Sequence, residues 1–124
     1  MSLESDGLDV LLVDGELRPA AGGATFETAN PATEEVLGVA ADGTGADMDD
    51  AIAAARRAFD DGGWATDVDL RVLCVRQLQD ALVRHGEEMR ALTTAEVGAP
   101  TFLTTGPQYD DPVRDMAFAA DTAE

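Results

Sequence analysis

The 124-residue sequence contains no lysine and one histidine, and its eight basic residues, all arginine, stand against 25 aspartates and glutamates for a formal charge of −17. Nucleic acid and anionic membrane surfaces are themselves negative, so a chain this acidic is expected to bind neither. The lack of lysine, beside abundant aspartate and alanine, is read as coding bias or adaptation to salt, with acidic side chains keeping a crowded surface hydrated and self-repelling. A functional cation-binding surface is the sharper alternative. The single cysteine, Cys74, excludes an internal disulfide framework and fits a reducing compartment. No apolar stretch is long enough to span a bilayer. The opening residues, MSLESDGLDV, have no basic segment and no long apolar run, so no secretory signal is visible and a cytoplasmic location is expected.

What is present is one domain's worth of chain, with 45% apolar residues, enough for a modest core. Residues 1–10 are expected to form a flexible N-terminus. In VLLVDGELRPA an apolar run meets Asp14-Gly15, a pair that tolerates the positive φ of a tight hairpin, and Leu17 resumes the pattern. In ATFETANPAT the alternation of Ala24, Phe26 and Thr28 predicts a half-buried strand, which Asn30-Pro31 turns. EEVLGVA predicts a short strand after it, so the first third is a small β unit.

Helices follow. Thr44 and Asp47 have the spacing of a capping box, and Met48, Ile52, Ala55 and Phe59 fall on one face of the helix that it opens. Acidic residues sit in its first turn, where the helix dipole favours them. Gly62-Gly63 is expected to end it, with Trp64 as a packing anchor. A second helix has Asp67 or Asp69 as its N-cap and an apolar stripe of Leu70, Leu73, Cys74, Leu78, Ala81 and Leu82. Gly86 breaks or bends it. EEMRALTTAEVGAP adds a helical segment closed by Gly98 and Pro100. After a Thr-, Gly- and Pro-rich loop, DDPVRDMAFAADTAE predicts a last helix with Val113, Met116, Ala117 and Ala120 inward.

Taken singly, these residues carry little chemistry. Cys74 lies on an apolar stripe, where it reads as a small buried hydrophobe rather than a nucleophile. His85 is alone near a helix end, with no partners for a metal site or a catalytic dyad. The pairs Asp49-Asp50, Asp60-Asp61, Glu87-Glu88 and Asp110-Asp111 lie at helix ends or on polar faces, where carboxylates cap or are solvated. The chain has no GxGxxG and no phosphate loop.

The order of the pieces says more. The hairpin LLVDGEL, then GATFETANPATEEVLGVA, the helix ending AIAAARRAFDDGGW, the helix DLRVLCVRQL with Arg71 near its start, and TAEVGAP together resemble the amino-terminal segment of the NAD(P)-dependent aldehyde dehydrogenase superfamily. The resemblance runs from about Leu11 to Glu124. It implies an α/β fold in which strands and then helices form an incomplete part, 11–124, of a Rossmann-like cofactor-binding domain. The family reaction oxidises an aldehyde to a carboxylic acid through a cysteine thiohemiacetal, with hydride passing to the nicotinamide and a glutamate base hydrolysing the thioester. In the family the nucleophile, the oxyanion asparagine, the base and the cofactor loops lie downstream of the matched segment. The chain alone is therefore expected to bind neither NAD nor NADP and to be inactive, its partner being the remainder of a dehydrogenase or a homologous subunit of a homo-oligomer. The alternative is a non-catalytic interaction module or truncated subunit that binds a full-length relative or a complementary chain.

One family site maps onto this segment. By position, main-chain oxygens of Thr28 and Ala29 and the carboxylate of Glu96 would bind a monovalent cation, potassium or sodium. The other reading of the same residues is that Thr28 and Ala29 only make ladder hydrogen bonds and Glu96 is a solvated helix residue. Ala99 stands where the family commonly has lysine, at a position that closes a helix and does no chemistry.

Overall fold

The computed structural model describes residues 9–123, so the expected flexible N-terminus lies mostly outside the described residues. The chain divides into two compact units, one running to Gly62 and the other from Gly63 on. In the first, β1 (Leu11–Val13) and β2 (Glu16–Arg18) pair antiparallel, with Leu11 opposite Arg18 and Val13 opposite Glu16. Asp14 and Gly15 both take positive φ, 55° and 80°, which gives the turn the twist that two-residue hairpins need. A separate antiparallel pair, β3 (Thr25–Ala29) and β4 (Val36–Ala41), has Thr25 opposite Ala41 and an irregularity between Thr28 and Ala29. The Asn30 side chain accepts from Ala32 N at 2.9 Å, and its main chain donates to Glu35 O and accepts from Glu34 N. The Asn-Pro turn thus forms as its sequence demands.

The strand through Phe26 is not half-buried as expected. Phe26 is 53% exposed and Thr28 is the one partly covered residue of β3, whereas β4 is half-covered from Leu37 to Ala41; a two-stranded sheet by itself offers little to bury a side chain against.

Helix α1 (Gly45–Asp61) begins at the expected box. Thr44 accepts from Asp47 N, and the Asp47 carboxylate accepts from Thr44 N at 2.9 Å. Its packed face differs from the apolar periodicity. Ala54 is buried, and Ala51, Ala54, Ala58 and, from the predicted row, Ala55 line a shallow groove with Leu12 and Val13 of β1. Alanine lets the hairpin come close, while Met48 and Ile52 remain at least 60% exposed and Phe59 carries the Arg56 guanidinium 4.9 Å from its ring centre. The helix stops at Gly62, which is extended (φ −85°) rather than left-handed.

The second unit opens with a 3-10 turn, Gly63–Ala65. Trp64 within it is not a packing anchor. Its side chain is largely exposed, and its carbonyl oxygen accepts from Arg71 Nη1. Helix α2 (Val68–Arg84) is capped by Asp67, whose carboxylate accepts from Leu70 N at 2.9 Å. Val72 is its buried residue, Arg76 pairs with Asp121, and Gln79 donates to Val113 O at 2.9 Å. This row, at i, i+4 and i+7, is one position off the predicted stripe. Leu73 and Leu78 are accordingly exposed, while Leu70, Cys74, Ala81 and Leu82 are half-covered.

Helix α3 (Gly86–Val97) starts directly after His85 and ends at Gly98, whose φ of 70° is the left-handed cap expected there. The segment expected as a loop contains a short helix, α4 (Thr101–Thr104), with Thr104 fully buried. Its hydroxyl donates to Thr101 O at 2.8 Å, and this local bond supports a turn that composition alone marks as irregular. Helix α5 (Asp110–Ala123) packs against α2, and of the residues predicted to face inward Val113 and Ala120 are buried and Met116 and Ala117 half-buried.

Candidate functional site

The most heavily coordinated side chain among the described residues is Asp47, buried at the first turn of α1. It reaches beyond its own helix. Its oxygens accept from Thr44 N at 2.9 Å, the Thr44 hydroxyl at 2.8 Å and Ala21 N at 3.1 Å, with Arg18 Nη2 at 3.3 Å. The bond from Thr44 N, then that from Ala21 N and the Thr44 hydroxyl, hold its carboxyl below the usual carboxylate range; desolvation opposes them and the Arg18 charge adds a smaller pull. Arg18 also donates to Asp50 at 2.8 Å. Asp47 thus joins the segment after β2 to the start of α1. With its lone pairs engaged it is a structural clasp, not a free acid or base.

Thr28 and Ala29 flank the irregularity in β3, where Thr28 lies opposite Gly38 and Ala29 opposite Val36. A bulge of this kind interrupts the ladder and redirects main-chain oxygens. The Thr28 hydroxyl donates to Gly38 O at 3.4 Å. Glu96 is an exposed residue of α3. The first two belong to one unit and Glu96 to the other. Among the described residues no three His, Cys, Asp or Glu side chains cluster as metal ligands.

Cys74 is a half-covered residue of α2. His85 joins α2 to α3, exposed, with Nδ1 3.3 Å from Glu88 Oε2. Neither has a catalytic partner among the described residues. One or both members of three acidic pairs meet arginine: Asp50 with Arg18, Asp60 with Arg56, and Asp110 and Asp111 with Arg90 and Arg114. Arg56 grips Asp60, raising its own pKa and lowering that of Asp60, mainly through that hydrogen bond. Arg114 is bound first by Asp111 and then by Asp115, which raises its pKa.

A dinucleotide does not fit what these residues offer. A diphosphate needs backbone N–H groups at a helix start or glycine loop, free of competing negative charge. The start of α1 is filled by the Asp47 carboxylate and that of α2 by Asp67, while α3 and α5 open with Glu87-Glu88 and Asp110-Asp111. Each would repel phosphate. No helix among the described residues is long and apolar enough to cross a membrane.

Sequence reasoning found the Thr44–Asp47 box because it spans three residues. It missed the bond from Ala21, which is 26 positions away, and it missed Tyr109, buried with its hydroxyl donating to Leu82 O at 2.7 Å. A lone tyrosine in a polar segment was the available signal.

Comparison with known proteins accounts for the order of elements. The model of the aldehyde dehydrogenase family matches residues 18–124. The Bacillus subtilis (strain 168) protein DhaS, named as an aldehyde dehydrogenase, is 37% identical over 115 residues, which are 92% of this chain and 23% of that protein. The NADP/NAD-dependent aldehyde dehydrogenase PuuC of Escherichia coli (strain K12) is 36% identical over 91 residues, 73% of this chain and 18% of PuuC. The NAD+ complex structure of a Bacillus cereus aldehyde dehydrogenase superposes with a TM-score of 0.86 at 33% identity, over 94% of this chain and 24% of that one. An NAD+ complex from Mycobacterium tuberculosis gives 0.84 at 28% identity, over 93% and 24%. The chain spans about a quarter of the length of these relatives, matching the amino-terminal part of their cofactor-binding domain. This chain belongs to the aldehyde dehydrogenase family.

Proposed function

We propose that these 124 residues are the amino-terminal part of an NAD(P)-dependent aldehyde dehydrogenase subunit, and that they serve as scaffold for a cofactor-binding domain without catalysing a reaction themselves. What carries the reading is the continuous match from residue 18 to residue 124, set against the acidic starts of the four long helices, α1, α2, α3 and α5. In the complete subunit the nicotinamide cofactor supplies hydride acceptance. The residues described here contribute no nucleophile, oxyanion donor or base. They contribute a capped helix and two hairpins held in register by Asp47, Asp14-Gly15 and the Asn30 turn.

The test is direct. The purified chain, given an aldehyde and NAD+ or NADP+, is expected to form no reduced nicotinamide, and turnover by the chain alone would overturn the reading. Turnover that appears only when the rest of a related subunit is added supports it.

Within the same reading, main-chain oxygens at Thr28 and Ala29 and the Glu96 carboxylate hold a potassium or sodium ion in the complete subunit. Support comes from the bulge between Thr28 and Ala29 and from the hardness of oxygen donors. The full-length protein should then melt higher in potassium than in choline, and Glu96→Gln should remove the difference. Identical melts of the unaltered protein in the two salts count against the site.

A further inference from the structure

We propose that folding of the first unit is gated by ionic strength, its unpaired carboxylates opening β1–β4 and α1 in dilute solution and letting them close in salt. Through Gly62 the chain carries fourteen acidic residues against three arginines, whereas from Gly63 on it carries eleven against five. All three arginines of the first unit are already engaged: Arg18 with Asp47 and Asp50, Arg56 with Asp60, and Arg57 with Asp14. Glu16, Glu27, Glu34, Glu35, Asp49 and Asp61 are left with no basic partner among the described residues. With no lysine in the chain and its three arginines engaged, the unit has no further cation of its own to neutralise them.

The placement of these charges adds to their number. Helix α1 ends on Asp60 and Asp61 with no basic residue in its last turn, so its negative end faces carboxylates that the dipole disfavours. The elements that must withstand this repulsion are slight. They are two separate two-stranded sheets and one helix whose packed face is largely alanine. Small hairpins of this kind have little cohesion to spare. In the second unit, α2 and α5 pack along their length, and Arg76, Arg90 and Arg114 each pair with aspartate. Screening should therefore matter most before Gly62. Unpaired like charges on neighbouring elements interact across distances that salt controls, since the Debye length falls from about 30 Å at 0.01 M to about 3 Å at 1 M.

Hydrogen exchange of the 124-residue chain, followed by mass spectrometry across a potassium chloride series, tests this. Between about 1 M and about 0.01 M salt, peptides from β3, β4 and α1 should lose roughly tenfold or more in protection, ahead of peptides from α2 and α5. Choline chloride should act as potassium chloride does, because screening does not distinguish them. A quadruple variant, Glu27→Gln, Glu34→Gln, Asp49→Asn and Asp61→Asn, should need less salt for the same protection, and it keeps the test decisive if the unaltered chain is wholly unfolded in dilute solution. Protection that is flat in salt, lost equally in both units, restored by potassium alone, or unchanged in its salt dependence in the variant would each overturn the proposal.

Discussion

Removing a single oxygen, by Tyr109→Phe, tests whether the second unit is held together as described. The Tyr109 hydroxyl donates to Leu82 O at 2.7 Å. That carbonyl belongs to the last turn of α2, where four oxygens have no partner in the helix itself. Tyr109 is 8% exposed, so its ring stays packed in the variant and the change isolates the bond. A net intramolecular hydrogen bond contributes about 0.5–1.5 kcal/mol, and an acceptor left unpaired in a covered position costs about 1–3 kcal/mol. Leu82 is only half-covered, so water can satisfy part of the loss and the expected cost lies near 1–1.5 kcal/mol. With a urea slope of about 1–3 kcal/mol/M, the midpoint should fall by roughly 0.5–1 M at unchanged slope. Circular dichroism at 222 nm, read in about 1 M potassium chloride so that repulsion is screened, is the assay. A midpoint equal to that of the unaltered chain would mean that the tyrosine does not tie α5's start to α2's end, and the account of this unit would fall with it.

Two other perturbations probe the clasp and the cap. Asp47 has a folded-state pKa below its unfolded value, so the stability it confers is present above the unfolded value of about 3.9 and is lost as pH falls through the folded one. Urea midpoints of the unaltered chain and Asp47→Asn should accordingly differ most near neutrality and converge below about pH 4; a gap that stays constant into acid would show that the carboxylate's charge is not what the site uses. At Gly98, φ is 70° and the amide donates to Thr94 O at 3.1 Å, so Gly98→Ala should cost about 1–2 kcal/mol through the left-handed backbone. Gly98→Asn should recover part of that, because asparagine tolerates this region, and equal midpoints for glycine and alanine would refute the cap.

The features legible in the sequence are those whose partners lie within a few positions. Asp14-Gly15, the Thr44–Asp47 box, Asp67 at the head of α2 and Gly98 at the foot of α3 each satisfy a backbone demand on the spot, so residue type and spacing suffice. Which face of a helix is covered is a different matter. Of the predicted row, Met48, Ile52 and Phe59 are at least 47% exposed, whereas Ala55 joins Ala51, Ala54 and Ala58 in the groove against β1, because a hairpin packs where the surface lets its backbone come near. Helix α2 shows a partial offset: Val72 is buried and Arg76 and Gln79 reach α5, while Leu73 and Leu78 stay exposed and Leu70 and Leu82 are half-covered. The proposed cation residues Thr28, Ala29 and Glu96 rest on positional resemblance, and the irregularity between the first two is a feature no residue in ATFETANPAT announces.

That offset bears on function. Periodicity marks Met48, Ile52 and Phe59 in one unit and Leu73 and Leu78 in the other as core, and all five are at least 47% exposed. Isolated exposed hydrophobes, such as Leu73 and Leu78, are ordinary, but Met48, Ile52 and Phe59 form a row at helical spacing, and such a row suits a face that a further layer covers. In both units a neighbouring element of the same unit sits against small or polar residues, β1 on the alanines of α1 and α5 on Val72 and Gln79 of α2, and these large apolar residues are left exposed. Local packing was thus achieved with alanine, valine and glutamine, and the residues with the most apolar surface were held back from it. This division supports the scaffold reading more strongly than the missing catalytic residues do, since it is a positive property of the faces.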